Sequence, residues 1–200
     1  MPAPITFYFE FSSPYGYVAA REIDALAARH GREVAWKPYL MGVVMKQTGM
    51  VPLIQVPLKG DYMKHDLKRT ARAMGFDFKL PDPFPFLAVA PSRAFYWLHD
   101  RDPALANRFA RAVYDAAFME GRDMSRPDAV AEVGAGLGID DDELRAALKD
   151  DAVKDRLRDE TDKAIAAGAF GSPFVMVEGE AFWGFDKFPE IERWLQSGGW

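Results

Sequence analysis

Ser12-Ser13-Pro14-Tyr15 stands where a run of β-formers, Ile5 to Phe11, gives way to residues spaced for a helix. A serine at that junction has two uses. It can cap the helix by accepting a hydrogen bond from a first-turn amide. It can also help the helix N-terminus, with its unpaired N–H groups and positive dipole, to hold an anion. A thiolate is such an anion, because a helix N-terminus lowers a thiol's pKa. The chain has no cysteine, so disulfides, thiolate metal sites and cysteine nucleophiles are excluded, and any thiolate must come from a ligand. Ser172-Pro173, after Gly171, opens a late strand, where proline is permitted and where base rates favour a trans bond. Trp183-Gly184-Phe185-Asp186 leads into the last helix, with Asp186 placed to cap it. The three histidines, His30, His65 and His99, show no HExxH or HxxxH spacing, so no histidine metal site is expected.

The elements that must position these residues read as follows. Ile5–Phe11 is a strand, Tyr17–Arg29 a helix ended by Gly31, and Glu33–Tyr39 a second strand. A helix of about a dozen residues is the crossover that two parallel strands require. From about Val43 to Ala167 the pattern is helical: Asp61–Met74, Ser92–Arg101, Pro103–Glu120, Asp128–Leu137, Asp141–Lys149 and Ala152–Gly168. Pro81–Phe86 is expected to be a rigid extended loop. Pro173–Val177 and Ala181–Trp183 form a hairpin about Glu178-Gly179-Glu180, and Phe188–Gln196 is a final amphipathic helix. The order is β-α-β, a large helical insertion, then β-β-α. Two units follow: 1–42 with 168–200, and the insertion 43–167.

Composition narrows the function. The net charge is −5 without a basic stripe, which argues against nucleic acid. No apolar run approaches the ~20 residues of a membrane span. The N-terminus lacks the pattern of a signal peptide and the C-terminus carries no targeting tripeptide, so a cytoplasmic location is expected. His65 reads as a surface or interface residue, and His30 and His99 as helix-end contacts. The aromatics Phe84, Phe86, Phe95, Tyr96 and Trp97 read as core, and the loop from Pro81 to Pro91 as a wall of an apolar cleft.

The β-α-β…β-β-α order is that of the thioredoxin-like fold, here α/β with a large all-helical insertion. The turn Ser13-Pro14-Tyr15-Gly16 resembles the Cys-Pro-x-Cys turn of the DsbA-type oxidoreductases, with Ser13 and Gly16 in place of both cysteines, so dithiol redox chemistry is excluded. Within that superfamily the chain resembles the kappa-class glutathione transferases and, more closely, the 2-hydroxychromene-2-carboxylate isomerases. The resemblance is carried in register by Phe7–Tyr15, Lys59–Leu67, Gly168–Pro173 and Phe182–Lys187. It implies that glutathione is the cofactor and that the Ser13 hydroxyl holds its sulfur ionised. It implies further that Pro173 is cis and the Ser172 backbone pairs with the cysteinyl backbone. Trp183, Gly184, Phe185 and Asp186 would take the γ-glutamyl group, Asp186 at its ammonium. The chain departs from the family at Phe185, where relatives carry Ser or Asn, and at Met50, where they carry an Asn that contacts glutathione. Val44, Met45 and Lys46 fall where substrate is bound; Met45 replaces a lysine near the substrate carboxylate, and adjacent Lys46 can substitute.

The activity implied is a glutathione-dependent cis–trans isomerisation of 2-hydroxychromene-2-carboxylate to trans-o-hydroxybenzylidenepyruvate, or of a related aromatic-degradation intermediate. There the thiol adds to a conjugated alkene, the bond rotates, and elimination returns glutathione. The alternatives are a kappa-like transferase acting on electrophiles, whose product gains the mass of glutathione, and a non-catalytic thioredoxin-fold binding protein, which binds none. A small aromatic carboxylate substrate and a homodimer complete what the resemblance implies.

Overall fold

A computed structural model describes residues 3–200. Strand β1 (Ile5–Phe9) alternates strictly: Ile5, Phe7 and Phe9 lie buried on one face and Tyr8 on the other. Helix α1 (Pro14–Arg29) begins with proline, whose missing N–H costs nothing at that position. It delivers the chain to β2 (Val34–Pro38), which pairs parallel with β1 from Ile5↔Val34 to Phe9↔Pro38. At the other end of the sequence β3 (Phe174–Val177) runs antiparallel to β1 and β4 (Glu180–Trp183) antiparallel to β3. Glu178 and Gly179 both take positive φ, 54° and 92°, the conformation of a tight hairpin turn whose twist matches its strands. The sheet order is β2-β1-β3-β4.

That order decides where chemistry can gather. The C-terminal ends of β1, β2 and β4 and the N-terminal end of β3 share one edge of the sheet. Ser13, Tyr39, Ser172 and Trp183-Gly184 therefore meet there, from segments as far apart as 171 residues in number.

The insertion holds α2 (Met41–Thr48), a 3-10 turn Leu53–Gln55, α3 (Lys59–Met74), α4 (Val89–His99), α5 (Pro103–Phe118), α6 (Pro127–Gly136), α7 (Asp141–Ala147) and α8 (Asp151–Ala166). Helix α9 (Phe188–Ser197) closes the chain. Asp102, Asp140 and Asp150 cap α5, α7 and α8, accepting from the N–H groups of Leu105, Glu143 and Ala152. Two differences from the sequence reading have local causes. Helix α2 carries no expectation of its own because it is short and opens without a side-chain cap; Gly49, in the left-handed conformation, ends it. Helix α4 starts at Val89 rather than Ser92, with Pro91 in its first turn, where proline is tolerated.

Packing crosses from sheet to insertion. A single cluster of buried side chains joins Phe7, Phe9 and Trp36 of the sheet to Phe95 of α4 and Phe109, Tyr114 and Phe118 of α5. Phe9 meets Phe95 edge-on at 6.0 Å and Tyr114 at 5.7 Å, and Tyr17 of α1 stacks on Phe118 at 5.7 Å. The loop 81–88 turns Phe84 and Phe86 inward onto Phe118, leaving Leu87 outward. Its aromatics are thus core rather than cleft wall, and Asp82–Pro83 and Phe84–Pro85 are cis. A smaller cluster on the opposite face of β1 contains Tyr8, Tyr39, Val44, Ala164, Ala169 and Phe174.

Candidate active site

Ser13 is the N-cap of α1, and its Oγ accepts from the Gly16 N–H at 3.0 Å. The same oxygen donates to the Ser172 carbonyl at 2.8 Å. The hydroxyl thus caps its helix and, at once, bridges to the segment that enters β3. The Ser172–Pro173 peptide is cis. Ser172 Oγ in turn accepts from the Glu10 N–H at 2.9 Å. The Glu10 carbonyl accepts from the Ser13 N–H at 2.9 Å and from the Tyr114 hydroxyl at 3.0 Å. The Tyr39 hydroxyl donates to the Gly171 carbonyl at 2.6 Å. Four separated segments are thus locked around one helix N-terminus, where anions are favoured.

Gly16 is part of that lock. A Cβ there would lie 2.6 Å from Tyr114 Oη and 2.7 Å from Ser172 Oγ. The two hydroxyls occupy the room that a side chain at position 16 would need.

Glu10 is buried, at 6 % exposure, and no cation pairs with it among the described residues. Its Oε2 accepts from the Ser12 N–H at 2.7 Å and the Ser12 hydroxyl at 2.5 Å. Burial pushes the carboxyl up to about 7, and the two Ser12 bonds hold it from rising further. The Tyr39 and Tyr114 hydroxyls are raised by burial first and by the Glu10 charge second, so both stay neutral donors.

The β4 end adds a second cluster. The Gly184 N–H donates to the Pro173 carbonyl at 3.1 Å, joining β4's exit to the cis peptide. Gly184 has φ 109°, which a residue with a Cβ rarely adopts, and the Asp186 carboxylate lies against it. Trp183 is 57 % exposed, meets Phe170 edge-on at 4.9 Å, and lays its indole against Gly171, where no side chain would fit. Asp186 is exposed at the start of a 3-10 turn, Phe185–Lys187, and Phe185 leans on Phe188 at 5.2 Å.

Of the residues expected near substrate, Val44 is buried against Tyr8, Tyr39 and Phe174, so it supports the site from within the core. Met45 is half-buried, Lys46 exposed, and Met50 exposed at 38 %. Sequence reasoning gave no role to Glu10, Tyr39 or Tyr114. Glu10 carried a signal, a lone carboxylate inside the aromatic run Phe7–Phe11. Tyr114 carried none, since nothing local tells a core tyrosine from one aimed at a distant carbonyl.

A four-stranded sheet in this order, a helix N-terminus after β1 and a facing cis-proline before β3 define a thioredoxin-like protein. The chain belongs to the DsbA-like thioredoxin domain family, whose model matches residues 4–196. It is 27% identical over 204 residues to glutathione S-transferase kappa 2 of Caenorhabditis elegans, covering 96% of this chain and 91% of that one. It is also 27% identical over 203 residues to 2-hydroxychromene-2-carboxylate isomerase of Sphingobium xenophagum, covering 98% and 99%. A solved structure of 2-hydroxychromene-2-carboxylate isomerase matches at a TM-score of 0.87 and 26% identity, over 96% of this chain and 94% of that one.

Proposed function

We propose that the protein is a glutathione-dependent isomerase acting on 2-hydroxychromene-2-carboxylate or a related small aromatic carboxylate. The observation that carries this reading is the meeting of Ser13 Oγ and the Ser172 carbonyl, 2.8 Å apart at the N-terminus of α1, in a chain with no cysteine. The polar groups suit reduced glutathione part by part. The α1 N-terminus and the Ser13 hydroxyl suit the sulfur, the Ser172 backbone the cysteinyl peptide, and the Asp186 carboxylate the γ-glutamyl ammonium. Bound there, glutathione supplies the thiolate nucleophile that the chain lacks.

The chain's own part is electrostatic and steric. The Ser13 hydroxyl, turned from the Ser172 carbonyl toward a sulfur, donates a bond that favours the ionised form and adds to the helix dipole. Phe170, two residues before Ser172, and Trp183, next to Gly184, offer an exposed aromatic face. Lys46 supplies a cation for the substrate carboxylate in place of position 45. A homodimer belongs to this reading, supported by Val51, Leu53 and Leu58, apolar yet exposed between α2 and α3.

Calorimetric titration with reduced glutathione, wild type beside Ser13→Ala, tests the site. Saturable binding that weakens in the variant, followed by isomerisation at unchanged substrate mass, is expected. Absence of binding to the wild type would sink the reading. A kappa-like transferase is the second reading, favoured by Met45, which leaves an apolar side chain where a carboxylate-binding isomerase needs a cation. A product heavier by glutathione would select it.

A further inference from the structure

We propose that Glu10 is the positioning residue of this site: its ionised carboxylate, by binding Ser12, fixes the turn from which Ser13 projects. The inference deepens the reading of Ser13 and rests on it only for the effect on turnover.

The geometry isolates Glu10 at the centre of the lock. Its main chain makes three of the site's bonds, to Ser172 Oγ, the Ser13 N–H and the Tyr114 hydroxyl. Its side chain curls forward to accept both the N–H and the hydroxyl of Ser12, so the carboxylate closes the 10–13 turn on itself. A charged acceptor holds such bonds more tightly than a neutral one. The titratable groups facing it are Tyr39, at the end of β2, and Tyr114, on α5. Both are neutral donors to main-chain carbonyls, so neither pairs with its charge. An unpaired buried carboxylate destabilises a fold, and an apolar side chain would serve the core better. The arrangement instead spends the charge on a single short turn, the one that sets Ser13. Burial places its ionisation near neutrality. Above that range the turn is clamped; below it the protonated carboxyl accepts more weakly and the Ser12 bonds loosen.

The test needs no ligand in its first arm. The Glu10 carboxyl is followed by carbon-13 NMR against pH, together with the amide resonances of Ser12 and Ser13. A midpoint near 7, shared by the carboxyl and both amides, is expected. Both amides should be flat over that range in Glu10→Gln, and Ser12→Ala, which removes one donor, should move the midpoint upward. A carboxyl that titrates in the ordinary range, or amides that ignore its midpoint, overturns the proposal. In the second arm, Glu10→Gln should lower kcat at least threefold with KM little changed, and its pH profile should lose the step near neutrality. A profile identical to wild type also overturns it. If the wild type binds no glutathione, the proposed function fails while the NMR arm still decides the role of Glu10.

Discussion

The Ser13 hydroxyl is asked to do two things, and they separate experimentally. As a cap it receives the Gly16 N–H; as a donor it reaches the Ser172 carbonyl. Ser13→Ala should cost only about 1 kcal/mol of stability in urea unfolding, yet reduce turnover by tenfold or more. A variant that loses stability and keeps turnover would make Ser13 a cap alone. Gly16 makes a second, stricter demand. Gly16→Ala drives a methyl into Tyr114 Oη and Ser172 Oγ, and should cost about 1–3 kcal/mol by overpacking. The double change Ser13→Cys with Gly16→Cys should therefore fold poorly and yield little disulfide, as thiol counting under oxidising conditions would show.

At the scale of elements, the site depends on how β3 and β4 enter and leave their shared edge. Gly171 is bare because the Trp183 indole lies on it. Gly171→Ala should displace Trp183, red-shift the tryptophan emission and weaken glutathione binding while leaving far-ultraviolet circular dichroism unchanged; an unshifted spectrum would mean that the indole is not held there. Much of this level was legible in the sequence. The β-former run Ile5–Phe11, the crossover helix, the six later insertion helices and the terminal hairpin all announce themselves through composition, periodicity and turn residues. What was not legible depends on contacts distant in sequence. Helix α2 has too few residues and no cap to signal it. The loop 81–88 reads as a cleft wall although its aromatics read as core, because its partner Phe118 lies on another helix. Val44 reads as a substrate neighbour by its place in the chain and lies buried in the cluster that holds Tyr8, Tyr39 and Phe174. In the site, Ser13 and Ser172 were found from motif and position, whereas the bonds from Tyr39 and Tyr114 follow only from how the end of β2 and helix α5 pack against it.

For the whole molecule, two buried carboxylates pull stability in opposite directions with pH. Glu10 is raised by burial from 4.5 to about 7, so the folded state binds its proton more tightly than the unfolded chain. Its contribution is full below 4.5 and is lost as pH rises toward 7, a loss on the order of 3 kcal/mol. Glu160 behaves oppositely. Burial alone would raise it, but Lys163, Lys37 and Arg156 outweigh burial and hold it below 4.5. Its contribution is present above 4.5 and is lost as pH falls through its lowered value. Chemical denaturation at a series of pH values should therefore show a maximum near pH 5, and Glu10→Gln should flatten the decline from there to pH 7. A wild-type curve that climbs steadily from pH 5 to 7 would contradict this. The protein is thus expected to be less stable at the pH where its turn is best clamped, the direction expected when a site is maintained at the expense of the fold.

Strand β1 lies between β2, which follows it closely, and β3, which the chain reaches only at Phe174. During synthesis the ribosome must release most of the polypeptide before the second flank of β1 can be covered. Until then a bare aromatic strand edge is open to mispairing. A nascent chain arrested before Gly171 should be captured by a chaperone or cut by a protease in the 5–11 segment. One released after Trp183 should resist both. The residues that assemble the site are therefore the same ones that finish the sheet, and a partly made chain has neither.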